Sequence, residues 1–373
     1  MNLNYSQRFT KLNSVFQLGV STHLEDSDVD IRFFTFKSSL MSVNNTVISE
    51  TDEEINENLS FSYPVFIPAK KRRSDKAILL LHGLNERSWN KYLTWAEYLC
   101  VATGKPVILF PIAFHINRSP KSWSNPRALQ NILHLRRQRN SNDRSISYAN
   151  VILSERLSEN PFLFYTSGRQ SLFDLIQLFE EIKAGKHPFF KENTQLDIFS
   201  YSIGAFLAQI TLMTDLNHLF SDSKLFMFCG GSIFSKMYGV SRSIMDKNAY
   251  ENLHRYFIFS FDTDTNLNWN RDKIFDSFYS MISPERDLEK RTSFFHQKSD
   301  RIKGILLKQD VVIPYIGVQE ALGKDITEAN TKLMDFSFSY THENPFPVGK
   351  NIDSQAVNDA FLRVFSQAAA FLA

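Results

Sequence analysis

Ser202, Asp310 and His342, each in its own turn after a predicted strand, have the side chains that nucleophilic catalysis needs. A serine hydroxyl is a weak nucleophile near neutral pH, so a base must take its proton as it attacks, and an imidazole suits that exchange. The imidazole must in turn be held in one tautomer and be stabilised when it becomes charged, which a carboxylate does. On residue type, Ser202 is the candidate nucleophile, His342 the candidate base and Asp310 the candidate acid.

The element around Ser202 is the clearest. An apolar run, Leu196-Asp197-Ile198-Phe199, stops at Ser200-Tyr201-Ser202-Ile203-Gly204, and small or apolar residues at helical spacing follow: Ala205, Leu207, Ala208 and Leu212. That pattern predicts a strand, a sharp turn and a helix. It approaches the Gly-x-Ser-x-Gly elbow, which holds a serine hydroxyl clear of the backbone at the end of a sheet. Ser200 stands where the elbow has its first glycine, a position that needs a small residue. The pentapeptide alone also fits an ordinary β-to-α turn.

The other candidates follow predicted strands too. Ala77-Ile78-Leu79-Leu80-Leu81 is a continuous apolar run of the kind buried on both faces of a parallel sheet, and His82-Gly83 closes it. A helix over 89–103 ends at Gly104 with Pro106 beyond, and a second buried strand spans 107–110, giving a strand-helix-strand crossover. Further strands are expected at 225–228, at 302–308 before Asp310, and at 333–340 before His342. Helices are expected at 168–183, from Pro314 to Leu322, and over 353–372. Upstream, 15–20, 31–36 and 61–67 read as strands that begin the sheet, with an acidic loop or short helix over 42–60. Two blocks, 112–160 and 232–301, break the alternation.

Catalytic candidates in the order Ser, Asp, His, a His-Gly segment after an early strand, and insertions between strands make the chain resemble the α/β-hydrolase superfamily, in particular its serine esterases and lipases. The resemblance runs from Ala77 to the C-terminus. It implies an α/β-hydrolase fold with a mostly parallel central sheet flanked by helices. Residues 1–76 would supply strands and loops joining that sheet, and 77–373 the core, with 112–160 and 232–301 as cap insertions. It also implies an oxyanion hole made by the backbone N–H of Ile203, after the nucleophile, and of Leu84 in the His-Gly segment. Each such donor is worth about 3 kcal/mol. His82 is expected to shape its loop rather than to carry protons. Asp310 also suits a helix cap, and Asp262 and Asp264 are the rival acids. Trp123, Phe234, Tyr238 and Trp269 are the expected walls of an apolar substrate pocket, although the same residues would pack a cap against a core.

The activity so implied is hydrolysis of a carboxylic ester through an acyl-enzyme. Acyl transfer to another acceptor uses the same residues. A non-catalytic protein binding a ligand or partner under its cap is the reading from another class, because a fold does not fix a function.

Composition narrows the rest. A formal net charge of +2 is too small to argue for nucleic acid or a membrane surface as an obligate partner, and the partner the resemblance implies is a small-molecule ester or acyl compound. The arginines at 127, 136, 137, 139 and 144 read as a solvated helix face, with an acidic ligand as the alternative. Hydrophobic residues at 43% suffice for a large core, and 34 phenylalanines would fill both core and pocket. Cys100 and Cys229 read as buried thiols, no metal-ligand spacing is present, and no cofactor is implied. No run reaches the ~20 apolar residues of a membrane helix, and no signal peptide is visible, so a cytoplasmic location is the expectation.

Overall fold

Along the central strands, successive apolar side chains go to opposite faces of one sheet, and both faces are covered. The computed structural model describes residues 4–39, 55–264 and 271–373. In chain order these form α1 (Tyr5–Val15), β1 (Thr22–Leu24), β2 (Val29–Lys37), β3 (Ser60–Pro68), β4 (Ser74–Leu81), α2 (Asn90–Thr103) and β5 (Val107–Leu109). Then come α3 (Pro126–Arg139), α4 (Val151–Glu159), α5 (Leu163–Lys183), β6 (Phe190–Tyr201), α6 (Ile203–Thr214) and β7 (Leu225–Phe228). The rest is α7 (Lys247–Arg255), α8 (Lys273–Ser280), α9 (Leu288–Gln297), β8 (Ile302–Leu307), α10 (Tyr315–Leu322), α11 (Lys324–Asn330), β9 (Thr331–Met334) and α12 (Ser354–Leu372).

The strands pair in the order β1-β2-β3-β5-β4-β6-β7-β8-β9. β1, β2, β3 and β5 pair antiparallel in succession, and from β5 to β9 every pairing is parallel. Ala77, Leu79, Leu81, Ile198 and Met227 share one core cluster with α5, α6 and α10, while Ile78, Leu80, Phe199, Tyr201 and Phe228 share the other with α1, α2 and α12. Burial on both faces is why these strands read as unbroken apolar runs. The mostly parallel sheet with helices on both faces is the α/β-hydrolase fold that the sequence implied. The chain reverses direction across the sheet at β4, with β5 on one side and β6 on the other, and in such sheets ligands bind at the carboxyl ends beside this reversal. Among the described residues, no helix is long and apolar enough to cross a membrane.

Three expectations about elements need correcting. Residues 15–20 are not a strand: α1 runs to Val15, started by an Asn4 side chain that accepts from the Ser6 and Gln7 N–H groups, and Gly19 turns at φ 81°. Val15, Leu18 and Val20 are exposed, so their spacing reflects no buried face. The helix expected from Gly168 starts five residues earlier, at Leu163, with the glycine inside it. β9 ends at Met334, and the alternation beyond it is an aromatic loop in which Phe336 packs on Phe338 and Tyr340, with ring centroids 5.3 and 5.0 Å away. Most of the acidic segment 42–60 lies outside the described residues; its end forms a helical turn, Asn56–Leu59, and the start of β3.

Candidate active site

Ser202 lies between β6 and α6 at φ 56°, ψ −124°, a conformation that non-glycine residues seldom adopt and that persists where its surroundings hold it. The surroundings are tight. A Cβ on Gly204 would lie 2.7 Å from the carbonyl oxygens of both Leu81 and His82, so only glycine allows α6 to start this close to β4. On the other side, a Cβ on Gly230 would meet the Ala205 Cβ at 2.5 Å. Ser200 fits where the elbow usually has glycine: it is fully buried, and its hydroxyl donates to the Phe226 carbonyl of β7 at 3.3 Å.

The three candidate residues meet. His342 Nε2 is 2.7 Å from Ser202 Oγ, and His342 Nδ1 is 2.7 Å from Asp310 Oδ2. All three are buried, with Ser202 5% exposed. The other carboxylate oxygen, Asp310 Oδ1, accepts the backbone N–H groups of Val312 and Ile313 at 2.9 Å each. The capping geometry and the contact with His342 thus coexist in Asp310. With Nδ1–H donating to the carboxylate, Nε2 is left to accept from the serine hydroxyl. The rival acids lie elsewhere: Asp262 pairs with Arg286 at 3.2 Å, and Asp264 accepts from the Tyr256 hydroxyl.

Two neighbours of these three residues had no role assigned from the sequence beyond the expected burial of one, Cys229. The Tyr201 ring stacks on that of His342, and its hydroxyl donates to the His342 carbonyl. Cys229 is a buried thiol pushed well above its ordinary pKa by burial first and then by the charge of Asp310, to which it hydrogen-bonds. Tyr201 was visible as the large residue between two serines, but nothing in its spacing indicated what it would face.

His82 is structural, as expected. Its Nε2 accepts the Ile112 N–H at 2.9 Å, and its Nδ1 donates to the Gly83 carbonyl at 2.8 Å, a pattern that requires the neutral ring. Burial, and after it the neighbouring His115, push its pKa well below the usual histidine value. The Gly83 N–H donates to the Tyr92 hydroxyl at 2.9 Å. Ile203 is the first residue of α6, where no intrahelical carbonyl can accept its N–H. Leu84 and Ile203 line one pocket together with Ser202.

That pocket is walled by Phe164, Phe234, Met237, Met245 and Ile313. Of the expected pocket residues, Phe234 is thus beside the serine. Trp123 lines an adjoining pocket with Arg87 and Arg156, stacked on Phe114 at 6.5 Å. Tyr238 is 45% exposed and packs edge-on against Tyr250, which lines the pocket. Trp269 lies outside the described residues. The basic segment is also not a uniformly solvated face, because Arg136 is buried and paired with Asp246 and Glu155, tying α3 to the start of α7 and to α4. A contact across 110 positions leaves no local trace in sequence. Among the described residues, no group of three His, Cys, Asp or Glu side chains is placed to hold a metal ion.

Comparison with known proteins adds a family. A family model described as "Family of unknown function (DUF6051)" matches residues 37–373. The chain belongs to this family. No curated protein matches the DUF6051 chain in sequence. Among solved structures it is similar to a thermostable esterase from Pseudomonas putida, at 10% identity and a TM-score of 0.45, covering 99% of this chain and 89% of that one. It is also similar to a hyperthermophilic esterase from Pyrobaculum calidifontis, at 11% identity and a TM-score of 0.42, covering 99% and 88%. A third is carboxyl esterase 2 from the fungus Tuber melanosporum, at 8% identity and a TM-score of 0.43, covering 99% and 97%. The fold of this DUF6051 member is identified by its own strand order and Ser202 turn, independently of these overlaps.

Proposed function

We propose that this DUF6051 protein is a serine hydrolase that cleaves a carboxylic ester through an acyl-enzyme intermediate. The observation that carries the reading is the unbroken hydrogen-bonded line from Ser202 Oγ through His342 to Asp310, buried at the carboxyl ends of parallel strands. In this reading His342 Nε2 takes the hydroxyl proton as Ser202 Oγ attacks the ester carbonyl carbon. Asp310 fixes the tautomer and stabilises the imidazolium. The N–H groups of Leu84 and Ile203 receive the oxyanion. Collapse of the tetrahedral intermediate expels the alcohol, which takes the proton from His342. Water activated by the same imidazole then releases the acid. The blocks 112–160 and 232–301 form the cap, and the apolar walls of the Ser202 pocket favour an ester over a charged substrate.

A fluorophosphonate probe tests this reading. Wild-type protein is expected to be labelled, and Ser202→Ala to lose both the label and hydrolysis of p-nitrophenyl acetate. Folded wild-type protein that takes up no label would instead support a ligand-binding role for the fold.

A further inference from the structure

The Ser202 pocket is not the end of the apolar space. A second apolar pocket lies between α5, α6 and α8, walled by Leu172, Phe206, Leu207, Ile210, Ile274 and Phe278. Leu84, Phe164 and Ile203 line both spaces, so the two adjoin there. The Phe164 ring stands between the two, 5.6 Å from Phe234 of the serine pocket and 6.5 Å from Phe278 of the second cavity.

Most polar groups at the rim of the second cavity are engaged inside the protein. Arg169 is paired with Asp272 at 2.5 and 3.0 Å, and the Ser167 hydroxyl donates to the Leu163 carbonyl at 2.7 Å. His115 Nδ1 is 2.8 Å from the Ala113 carbonyl, which leaves only its Nε2 open. What remains is a largely hydrocarbon surface.

Gly168 supplies the decisive detail. It lies inside α5, where glycine is about 1 kcal/mol less favourable than alanine, and it lines the second cavity. A Cβ built there meets no heavy atom within 4 Å. No close packing requires this glycine, and what its missing side chain leaves is open room.

We infer that the second cavity is the acyl-chain site, entered from Ser202 past Phe164, and that the substrates are esters of unbranched fatty acyl groups too long for the serine pocket alone. This inference rests on the serine-hydrolase reading for its chemistry. A chain lying in such a cavity gains about fourfold in kcat/KM for each methylene buried.

The test compares p-nitrophenyl octanoate with p-nitrophenyl acetate. Gly168→Leu fills the cavity and is expected to lower the octanoate-to-acetate ratio of kcat/KM by about tenfold or more, the equivalent of two methylenes. Phe164→Ala, which removes the ring lining both spaces, is expected to raise the ratio. An unchanged ratio in both folded variants overturns the cavity assignment. The two readings fail separately: absence of fluorophosphonate labelling in wild type overturns the hydrolase reading, whereas labelling with an unchanged ratio overturns only the acyl site. Should turnover be absent, calorimetry of 1-octanol with Ser202→Ala decides. Binding that Gly168→Leu abolishes sustains the cavity, and no binding, or binding that Gly168→Leu leaves intact, overturns it.

Discussion

The ring of Tyr201 lies nearly parallel to that of His342, with centroids 5.3 Å and planes 17° apart, while its hydroxyl donates to the carbonyl oxygen of the same histidine. Tyr201 and Ser202 are neighbours at the end of β6, so one short segment supplies both the proposed attacking hydroxyl and the platform for its proposed base. Tyr201 is in this sense a positioning residue. Tyr201→Phe keeps the stack and loses a hydrogen bond worth about 1 kcal/mol, so kcat should fall about fivefold with KM little changed. Tyr201→Leu loses both contacts and should fall further. Wild-type kcat in both variants would rule out the positioning role.

Asp310→Asn is expected to keep the turn, because the amide oxygen can still accept from the Val312 and Ile313 N–H groups. Its NH2 would then face His342 Nδ1 and favour the wrong tautomer. Ester hydrolysis should drop about 10⁴-fold with an unchanged melting temperature. A drop of less than about tenfold would remove Asp310 from the mechanism.

The two small residues of the elbow should behave oppositely. Gly204→Ala forces a Cβ against the Leu81 and His82 carbonyls and should cost about 3 kcal/mol in urea unfolding, with loss of probe labelling. Ser200→Gly removes only the bond to the Phe226 carbonyl and should leave kcat within about twofold, at a cost near 1 kcal/mol. A large rate gain in Ser200→Gly would mean that the serine impairs the elbow.

Stability should weaken in mild acid through His115. Burial lowers its pKa to about 4, because the charged ring would leave water. Above about pH 6.5 both folded and unfolded chains hold it neutral, and its contribution is complete. As pH falls from 6.5 towards 4 the unfolded chain takes up the proton first, so stability is lost at up to about 1.4 kcal/mol per pH unit. His115→Asn should reduce the loss between pH 7.5 and 5.0 by up to about 2 kcal/mol in urea titrations. Equal losses in wild type and variant would exclude His115 as a source.

What was legible in the sequence depended on range. Gly104 stopping α2, the glycines closing the elbow and the apolar runs of β4 and β7 are local signals, and all are found in place. The order Ser202, Asp310, His342 gave candidates that the sheet brings together, because each follows a strand of the parallel part. Gly168 was misread as a helix boundary because propensity reports the cost of a glycine in a helix but does not exclude it from the interior of one. Tyr238 and Tyr250 lie twelve positions apart with similar surroundings, and only packing decides which faces the pocket. The role of Arg136 needed Asp246, far along the chain.

The contact of Gly204 with the Leu81 and His82 carbonyls welds the start of α6 to the end of β4. Serine and both proposed oxyanion donors therefore travel as one rigid block, whatever the helices above them do. Substitutions in those overlying helices are therefore expected to change what reaches Ser202 without shifting its hydroxyl.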